Sequence, residues 1–159
     1  MRILGIDPGM AIVGYSILDV DEKNGEINLV SSGSIQTSSK DEESQRLLEI
    51  HNDLKTIIEK FSPDVASVEK LFFFKNQKTV MPVSQARGVI VMTLAQNGLK
   101  VQEYTPIEIK QALTGYGRAT KDEVAKLVKI CLNNCKIPKL DDTVDSIAIA
   151  ICCARSFNF

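Results

Sequence analysis

Residues 2–9 of the chain read RILGIDPG. The apolar and β-branched residues predict a buried strand over Arg2–Asp7. Pro8-Gly9 ends this strand, because proline cannot donate to a sheet and glycine lets another group approach closely. Asp7 is therefore presented at a strand end. An aspartate before such a turn can also serve the turn alone, since Asp side chains form local hydrogen bonds there.

The rest of the chain alternates between strand and helix patterns. β-rich runs bounded by turn residues predict strands, and apolar residues at a spacing of three and four predict helices. A capping box at Thr105–Glu108 marks one helix start. The predicted strands are Arg2–Asp7, Ala11–Val20, Ile27–Ile35, Val65–Glu69 and Lys100–Tyr104. The predicted helices are Ser44–Phe61, Met81–Asn97, Ile107–Leu113, Lys121–Asn134 and Asp142–Ser156, with a loop over Leu71–Val80.

This order of elements predicts an α/β fold, a mixed five-stranded sheet flanked by helices that opens with three antiparallel strands, as in ribonuclease-H-like domains. The 159 residues are expected to form a single domain of this ribonuclease-H-like class, 1–159. The longest apolar stretches, Val89–Ala95 and Ile147–Ala154, are too short to cross a membrane, and the first residues do not resemble a signal peptide. We therefore expect a cytoplasmic protein with no membrane contact.

Charge is unevenly distributed along the chain. The net charge is −1, yet the segment from Lys70 to Lys121 holds eight basic residues and only two acidic ones, Glu103 and Glu108. Any single lysine of this segment can be explained as part of a solvated face. The segment as a whole predicts a surface that binds phosphates.

Three more acids are predicted at the ends of buried elements. Glu69 ends an apolar strand, and Asp142 and Asp145 share one face at the start of the last helix. Each has an ordinary alternative, which is a salt bridge to Lys70 or Arg87 for Glu69 and helix capping for the two aspartates. The run that follows, residues 147–154, is apolar on all sides, so it must be buried against the sheet and hold the helix start near the strand ends.

Four carboxylates that converge would repel one another strongly unless cations neutralised them. Hard oxygen ligands of this kind select Mg²⁺ or Mn²⁺ over zinc. We therefore predict two Mg²⁺ ions, replaceable by Mn²⁺, that activate a water and stabilise the leaving oxygen of a phosphodiester. The predicted metal ligands are Asp7, Glu69, Asp142 and Asp145. The predicted reaction is hydrolysis of a nucleic-acid backbone.

The chain resembles the RuvC family of crossover-junction endodeoxyribonucleases nearly end to end. No single motif is specific, but their joint order and spacing are. Met10 and Ser16 depart from the family pattern, where smaller residues are common. The motifs that carry the resemblance are Ile6–Gly9 with Gly14-Tyr15, Val68-Glu69 with Leu71-Phe72 and Lys75-Asn76, Gln85–Val89, Tyr104–Pro106 with Lys110, Gly115–Lys121, and Asp142 and Asp145 with Ala148–Ala150.

The resemblance implies a homodimer that binds four-way junction DNA during recombination and repair. It implies paired nicks in opposing strands of like polarity, with 5′-phosphate products, and the RuvA–RuvB branch-migration complex as a partner. Asp7, Glu69, Asp142 and Asp145 match the family's metal-binding catalytic positions, and Lys121 would stabilise charge in the transition state. Phe72 matches a position that stacks on an unpaired base. The other implied DNA contacts are Lys75, Asn76, Arg87, Lys110, Arg118 and Lys121.

The helix predicted over Met81–Asn97 carries more apolar surface than one sheet-facing stripe requires. Gly88 within it permits close approach of another helix. We therefore predict that this helix forms the dimer interface.

Three rival functions are compatible with parts of this pattern. The first is a resolvase-like nuclease that acts on ribosomal RNA precursors. The second is an actin-like ATPase lobe, which would need a second lobe and a second glycine-rich loop that the sequence does not contain. The third is a non-catalytic DNA-binding module, which would have no use for four convergent acids.

Overall fold

The computed structural model describes residues 1–71, 77–133 and 141–157, with the backbone alone for residues 77–79. The strands are β1 Arg2–Asp7, β2 Ile12–Val20, β3 Ile27–Gln36, β4 Val65–Glu69 and β5 Lys100–Tyr104. The helices are α1 Glu43–Phe61, α2 Gln77–Gln96, α3 Pro106–Thr114, α4 Lys121–Cys131 and α5 Asp141–Ser156. None of the helices described is long and apolar enough to cross a membrane.

The strands form one mixed sheet in the order β3-β2-β1-β4-β5. β1, β2 and β3 are antiparallel neighbours, whereas β4 pairs in parallel with both β1 and β5. The predicted α/β class, the five-stranded mixed sheet and the antiparallel opening are confirmed. Since β1, β4 and β5 run in the same direction, their carboxyl ends meet at one edge of the sheet.

Helices cover both faces of the sheet. One core joins Ile3 and Val65 to the buried residues of α3, α4 and α5, and the other joins Leu4 and Ala66 to those of α1 and α2. We call these the α5 face and the α2 face. Because successive residues of a strand point to opposite faces, the last residues of β1 and β4 point to the α5 face.

Helix α5 packs very closely on β1 and β2. A Cβ atom added to Gly5 would lie 2.3 Å from the carbonyl oxygen of Ser146 in α5, so a larger residue would not fit. The Ser67 hydroxyl in β4 donates to the Ile149 carbonyl at 3.0 Å. These contacts fix α5 in position along the sheet, and they confirm that its apolar run is buried.

Helix α2 begins at Gln77, inside the segment that the sequence predicted as the loop Leu71–Val80. The prediction was wrong for residues 77–80. Pro82 lacks an amide hydrogen and is favoured in the first turn of a helix, so it argued for a start near residue 81. The helix instead continues through Pro82.

Helix α4 ends at Cys131, earlier than the predicted end at Asn134, which lies outside the described residues. Asn133 has a φ of 51°, in the left-handed region. Asparagine tolerates this conformation better than most residues, which explains a helix end here despite a continuing apolar pattern.

Candidate active site

Two of the predicted acids stand side by side at the carboxyl edge of the sheet. β1 and β4 pair with Ile6 opposite Val68, so Asp7 and Glu69 are the next residues on neighbouring strands. Both point to the α5 face by the alternation of side chains along a strand. Both are half-buried, so their charges are only partly exposed to water.

The start of α5 brings the other two acids to the same place. Gly14 of β2 pairs with Asp7, and a Cβ atom on Gly14 would lie 2.0 Å from the carbonyl oxygen of Asp142. The buried Thr143 hydroxyl donates to the Gly33 carbonyl at 3.4 Å, which ties the first turn of the helix to β3. Asp145 follows one turn later on the same helix face.

These acids surround a cleft of about 410 Å³. Lys121, at the start of α4, also lines it, and its Nζ lies 3.2 Å from an Asp145 carboxylate oxygen. Lys110 reaches the cleft from α3. The full lining is Asp7, Glu69, Pro106, Ile109, Lys110, Lys121, Val124, Asp142, Asp145, Ala148 and Ile149. All four predicted metal ligands therefore share one cleft with two of the predicted cationic residues.

Burial and mutual repulsion make ionisation of these acids unfavourable. Burial, together with the charges of Glu69, Asp145 and Asp142, raises the pKa of Asp7 to about 8. Burial, followed by the charge of Asp145, raises the pKa of Glu69 to about 7. Burial also raises the pKa of Asp145, although the ammonium of Lys121 opposes this. A cation in the cleft would stabilise the ionised carboxylates.

The chemistry of this cleft fits a hard divalent cation. Its ionisable ligands are carboxylates, which are the oxygen donors that Mg²⁺ prefers. Within the described ranges, no three His, Cys, Asp or Glu side chains are grouped closely enough to hold one ion by themselves. Mg²⁺ is commonly bound by only one or two carboxylates, with water and substrate phosphates as its other ligands, whereas a structural zinc site needs four protein ligands.

The remaining predicted site residues are distributed differently. Phe72, Lys75 and Asn76 lie outside the described residues. Arg118 is exposed on the loop just before α4. Arg87 lies on α2, where its guanidinium pairs with Glu103 of β5, so the structure does not bring it to the cleft.

The salt bridge considered as the alternative role of Glu69 is not found. Among the described side chains, Glu69 forms no ion pair with either Lys70 or Arg87. The carboxylate instead faces the cleft that it shares with Asp7.

Sequence reasoning missed the residues that position the acids. Gly14 was noted only as part of a motif, and Thr143 was not considered. Gly14 lies against the start of α5, and Thr143 anchors the start of this helix to β3. Their importance depends on tertiary contacts, which Gly14 makes with α5 and Thr143 makes with β3. The signal available in the sequence was the small size of Gly5, Gly14 and Ser146, which permits close packing of a helix on a sheet.

Comparison with known proteins identifies the family. The family model described as "Crossover junction endodeoxyribonuclease RuvC" matches residues 3–153 of the chain. The chain belongs to the RuvC family. The RuvC protein of Halothermothrix orenii is 50% identical over 158 residues, which cover 99% of this chain and 94% of that protein. The predicted family and its nuclease class are confirmed. RuvC nucleases in general depend on divalent metal ions.

Solved RuvC structures have the same fold. Thermus thermophilus RuvC superimposes with a TM-score of 0.90 at 30% identity, covering 98% of this chain and 94% of that one. The T. thermophilus RuvC solved in complex with Holliday junction substrate gives a TM-score of 0.87 at 27% identity, with the same coverage. The ribonuclease-H-like RuvC fold predicted from the sequence is thus confirmed.

Without divalent ions, the stability of the protein should fall as the pH rises. The folded protein binds protons at Asp7 and Glu69 at pH values where the unfolded chain has ionised them, because their pKa values are raised to about 8 and about 7. This stabilisation is fully present below about pH 4 and is lost as the pH rises through the folded-state values. We expect the melting temperature to drop by roughly 5 °C between about pH 5 and about pH 8.5.

Two further melts assign this effect to the cleft. Asp7→Asn should flatten the slope, and added Mg²⁺ should restore the melting temperature most at high pH, where ionised carboxylates are available to bind it. An identical pH slope in Asp7→Asn would show that the effect arises elsewhere in the chain.

Proposed function

We propose that this chain resolves Holliday junctions by Mg²⁺-dependent hydrolysis of phosphodiester bonds, making paired nicks in opposing strands that leave 5′-phosphate ends. The observation that supports this most strongly is the convergence of four carboxylates and a lysine in one cleft at the edge of the sheet. Membership of the RuvC family supports the substrate, since a RuvC protein has been solved with Holliday junction DNA.

In this proposal Asp7, Glu69, Asp142 and Asp145 hold two divalent ions, Mg²⁺ or Mn²⁺. When bound, such a pair supplies an activated water and neutralises charge on the leaving oxygen. The protein's contribution is to hold the carboxylates in place through β1, β4 and α5. Apolar side chains of Ile109, Val124 and Ala148 line the cleft and exclude water, which strengthens the electrostatic interactions inside it.

Lys121 is proposed to stabilise the charge that develops on the cleaved phosphate. Its side chain is 73% exposed, and its ammonium reaches into the cleft to pair with Asp145. The charge of Asp145 raises the pKa of Lys121, whereas burial lowers it. The charge of Asp145 has the larger effect, so the pKa of Lys121 is raised. The ammonium therefore stays protonated throughout the physiological range and is available as a fixed positive charge.

Lys110 and Arg118 are proposed to bind backbone phosphates beside the cleft. Within the described part of the chain neither forms an ion pair, so their charges are free for a ligand. Phe72, Lys75 and Asn76 stay predictions. A phosphate contact by Arg87 also stays a prediction, and it would have to occur on the α2 face.

Paired nicks require two active sites, so we propose a homodimer formed through α2. Met81 and Met92 are 69% and 46% exposed on this helix. Together with Gly88, which is also exposed, they lie at positions that repeat along one side of a helix. A cytoplasmic location and docking to RuvA–RuvB remain predictions from the family.

A charge placed on this face of α2 should dissociate the dimer. In Met92→Lys, an ammonium would be buried in the proposed interface without a partner, which costs several kcal/mol. We expect a monomer by analytical ultracentrifugation at concentrations where the unaltered protein is a dimer. The matched control is Ile130→Lys on α4, which is exposed to a similar extent. Dissociation by both substitutions, or by neither, would contradict an α2 interface.

The proposed activity is tested by comparing substrates in one assay. The protein and Mg²⁺ are incubated with a synthetic four-way junction, a linear duplex of the same sequence, and an RNA–DNA hybrid. We expect symmetric nicks confined to the junction and ends that DNA ligase can seal. Preferential cleavage of the hybrid or of structured RNA would instead favour the RNA-directed rival.

A further inference from the structure

Tyr116 is an exposed aromatic residue close to the cleft along the chain. Its side chain is 59% exposed, in the loop that joins α3 to α4. Lys110, in the middle of α3, and Lys121, at the start of α4, both line the cleft. The loop that carries Tyr116 thus connects two cleft-lining lysines.

The backbone of Tyr116 is held firmly while its ring projects outward. The Thr114 hydroxyl accepts from the Tyr116 amide at 3.0 Å and lies within donating distance of the carbonyls of Tyr116, at 2.9 Å, and Lys110, at 2.8 Å. The Ala119 amide also donates to the Tyr116 carbonyl at 3.2 Å. Gly115 makes the turn possible with a φ of 75°. A ring on such a backbone is preorganised for contact.

The ring makes no polar contact among the described residues. Tyr116 forms no side-chain hydrogen bond there, and it makes no ring contact with a cation. Ile107, which is 55% exposed, packs its Cγ2 methyl close to Gly117, the next residue. Tyr116, in the loop, and Ile107, at the start of α3, therefore both expose apolar surface.

The surroundings of Tyr116 favour a nucleic-acid ligand. Lys110 and Arg118 flank it in sequence, and neither has an ion-pair partner in the part of the chain that the structure describes. Binding sites for unpaired nucleotides combine cationic residues that bind phosphates with aromatic side chains on which bases stack. A protein partner would be favoured by a broader apolar surface without flanking cations.

We propose that Tyr116 stacks on a nucleobase that loses a stacking neighbour at the crossover of the bound junction. The inference rests on the proposed function, since it takes junction DNA as the ligand of the adjoining cleft. Bases inside a duplex have both faces covered, whereas a base at the branch point can offer a free face. Tyr116 therefore contributes to junction selectivity as a second aromatic contact, separate from that predicted for Phe72.

Substitutions that keep or remove the ring test the stacking contact. Without divalent ions, so that the junction stays intact, Tyr116→Leu should bind the junction about tenfold more weakly, and Tyr116→Phe should bind as the unaltered protein does. Binding to linear duplex should not change in either variant. Ile130→Ala, which trims an exposed side chain more than two turns from Lys121, is the surface control. Equal loss in Tyr116→Leu and Tyr116→Phe, or no loss in either, would overturn the proposal.

A fluorescence measurement tests the same contact directly. The chain contains no tryptophan, so Tyr116→Trp carries a single indole probe. Its emission should be quenched by the junction and not by linear duplex. Unchanged emission at saturating junction would overturn the stacking proposal.

Measurements on the unaltered protein distinguish failure of the proposed function from failure of the stacking contact alone. If it binds junction and duplex equally, the proposed function is wrong. If it prefers the junction while every Tyr116 variant matches it, only the stacking contact is wrong.

Discussion

Asp7→Asn should reduce junction nicking by about a thousandfold, because an active-site metal ion contributes several kcal/mol of transition-state stabilisation and this substitution removes a charged ligand. The change preserves the shape of the side chain. It also removes a carboxyl group whose ionisation in the cleft is unfavourable, so the protein should fold at least as stably as before. Single-turnover nicking at saturating Mg²⁺ gives the rate.

Junction binding provides the control for Asp7→Asn. Because a carboxylate repels phosphates, the affinity of the variant for intact junction in the absence of metal should be equal to or higher than that of the unaltered protein. Loss of nicking and binding together, with a lower melting temperature, would mean that Asp7 serves the fold. Retained nicking would remove Asp7 from the chemistry.

Gly14→Ala should also inactivate the enzyme, although Gly14 has no side chain to take part in catalysis. The new methyl group would lie 2.0 Å from the carbonyl oxygen of Asp142, which is backbone and cannot rotate away. The start of α5 must therefore move away from β2, and Asp142 and Asp145 move with it. A displacement of about 1 Å can lower a rate about a hundredfold, and overpacking of this kind costs about 1–3 kcal/mol of stability.

A second destabilised variant separates displacement from loss of stability. Leu54→Ala removes a fully buried side chain from the α2 face, at an expected cost of about 2–5 kcal/mol. Assayed well below its melting temperature, it should nick normally despite being less stable than Gly14→Ala. Equal loss of activity in both variants would show that nicking depends on stability in general and not on the position of α5.

Several parts of the site could be predicted from local pattern. Asp7 and Glu69 each follow an apolar run, and a strand that ends in an acid presents that acid at the sheet edge. The long apolar run of α5 required burial, which brought Asp142 and Asp145 to the same edge. In each case the prediction depended on burial, which a run of hydrophobic residues indicates.

Other features depended on contacts that local pattern does not encode. Arg87 belongs to a basic segment, yet its helix packs on the α2 face and its charge meets Glu103. The approach of Asp142 to Gly14 depends on the packing of α5 on β2, which brings together residues far apart in sequence. Pro82 lies inside α2 because packing on the sheet outweighs one lost hydrogen bond. Such contacts are decided by tertiary structure.

The most direct test of the proposed metal site is to locate Mn²⁺ in crystals of the protein with a four-way junction. Crystals grown without divalent ions would be soaked briefly in Mn²⁺, and anomalous diffraction would locate the ions. We expect two Mn²⁺ ions in the cleft, bound by the carboxylates of Asp7, Glu69, Asp142 and Asp145 and by the phosphate to be cut. A cleft without Mn²⁺, or ions bound only elsewhere on the protein, would contradict the proposed metal site.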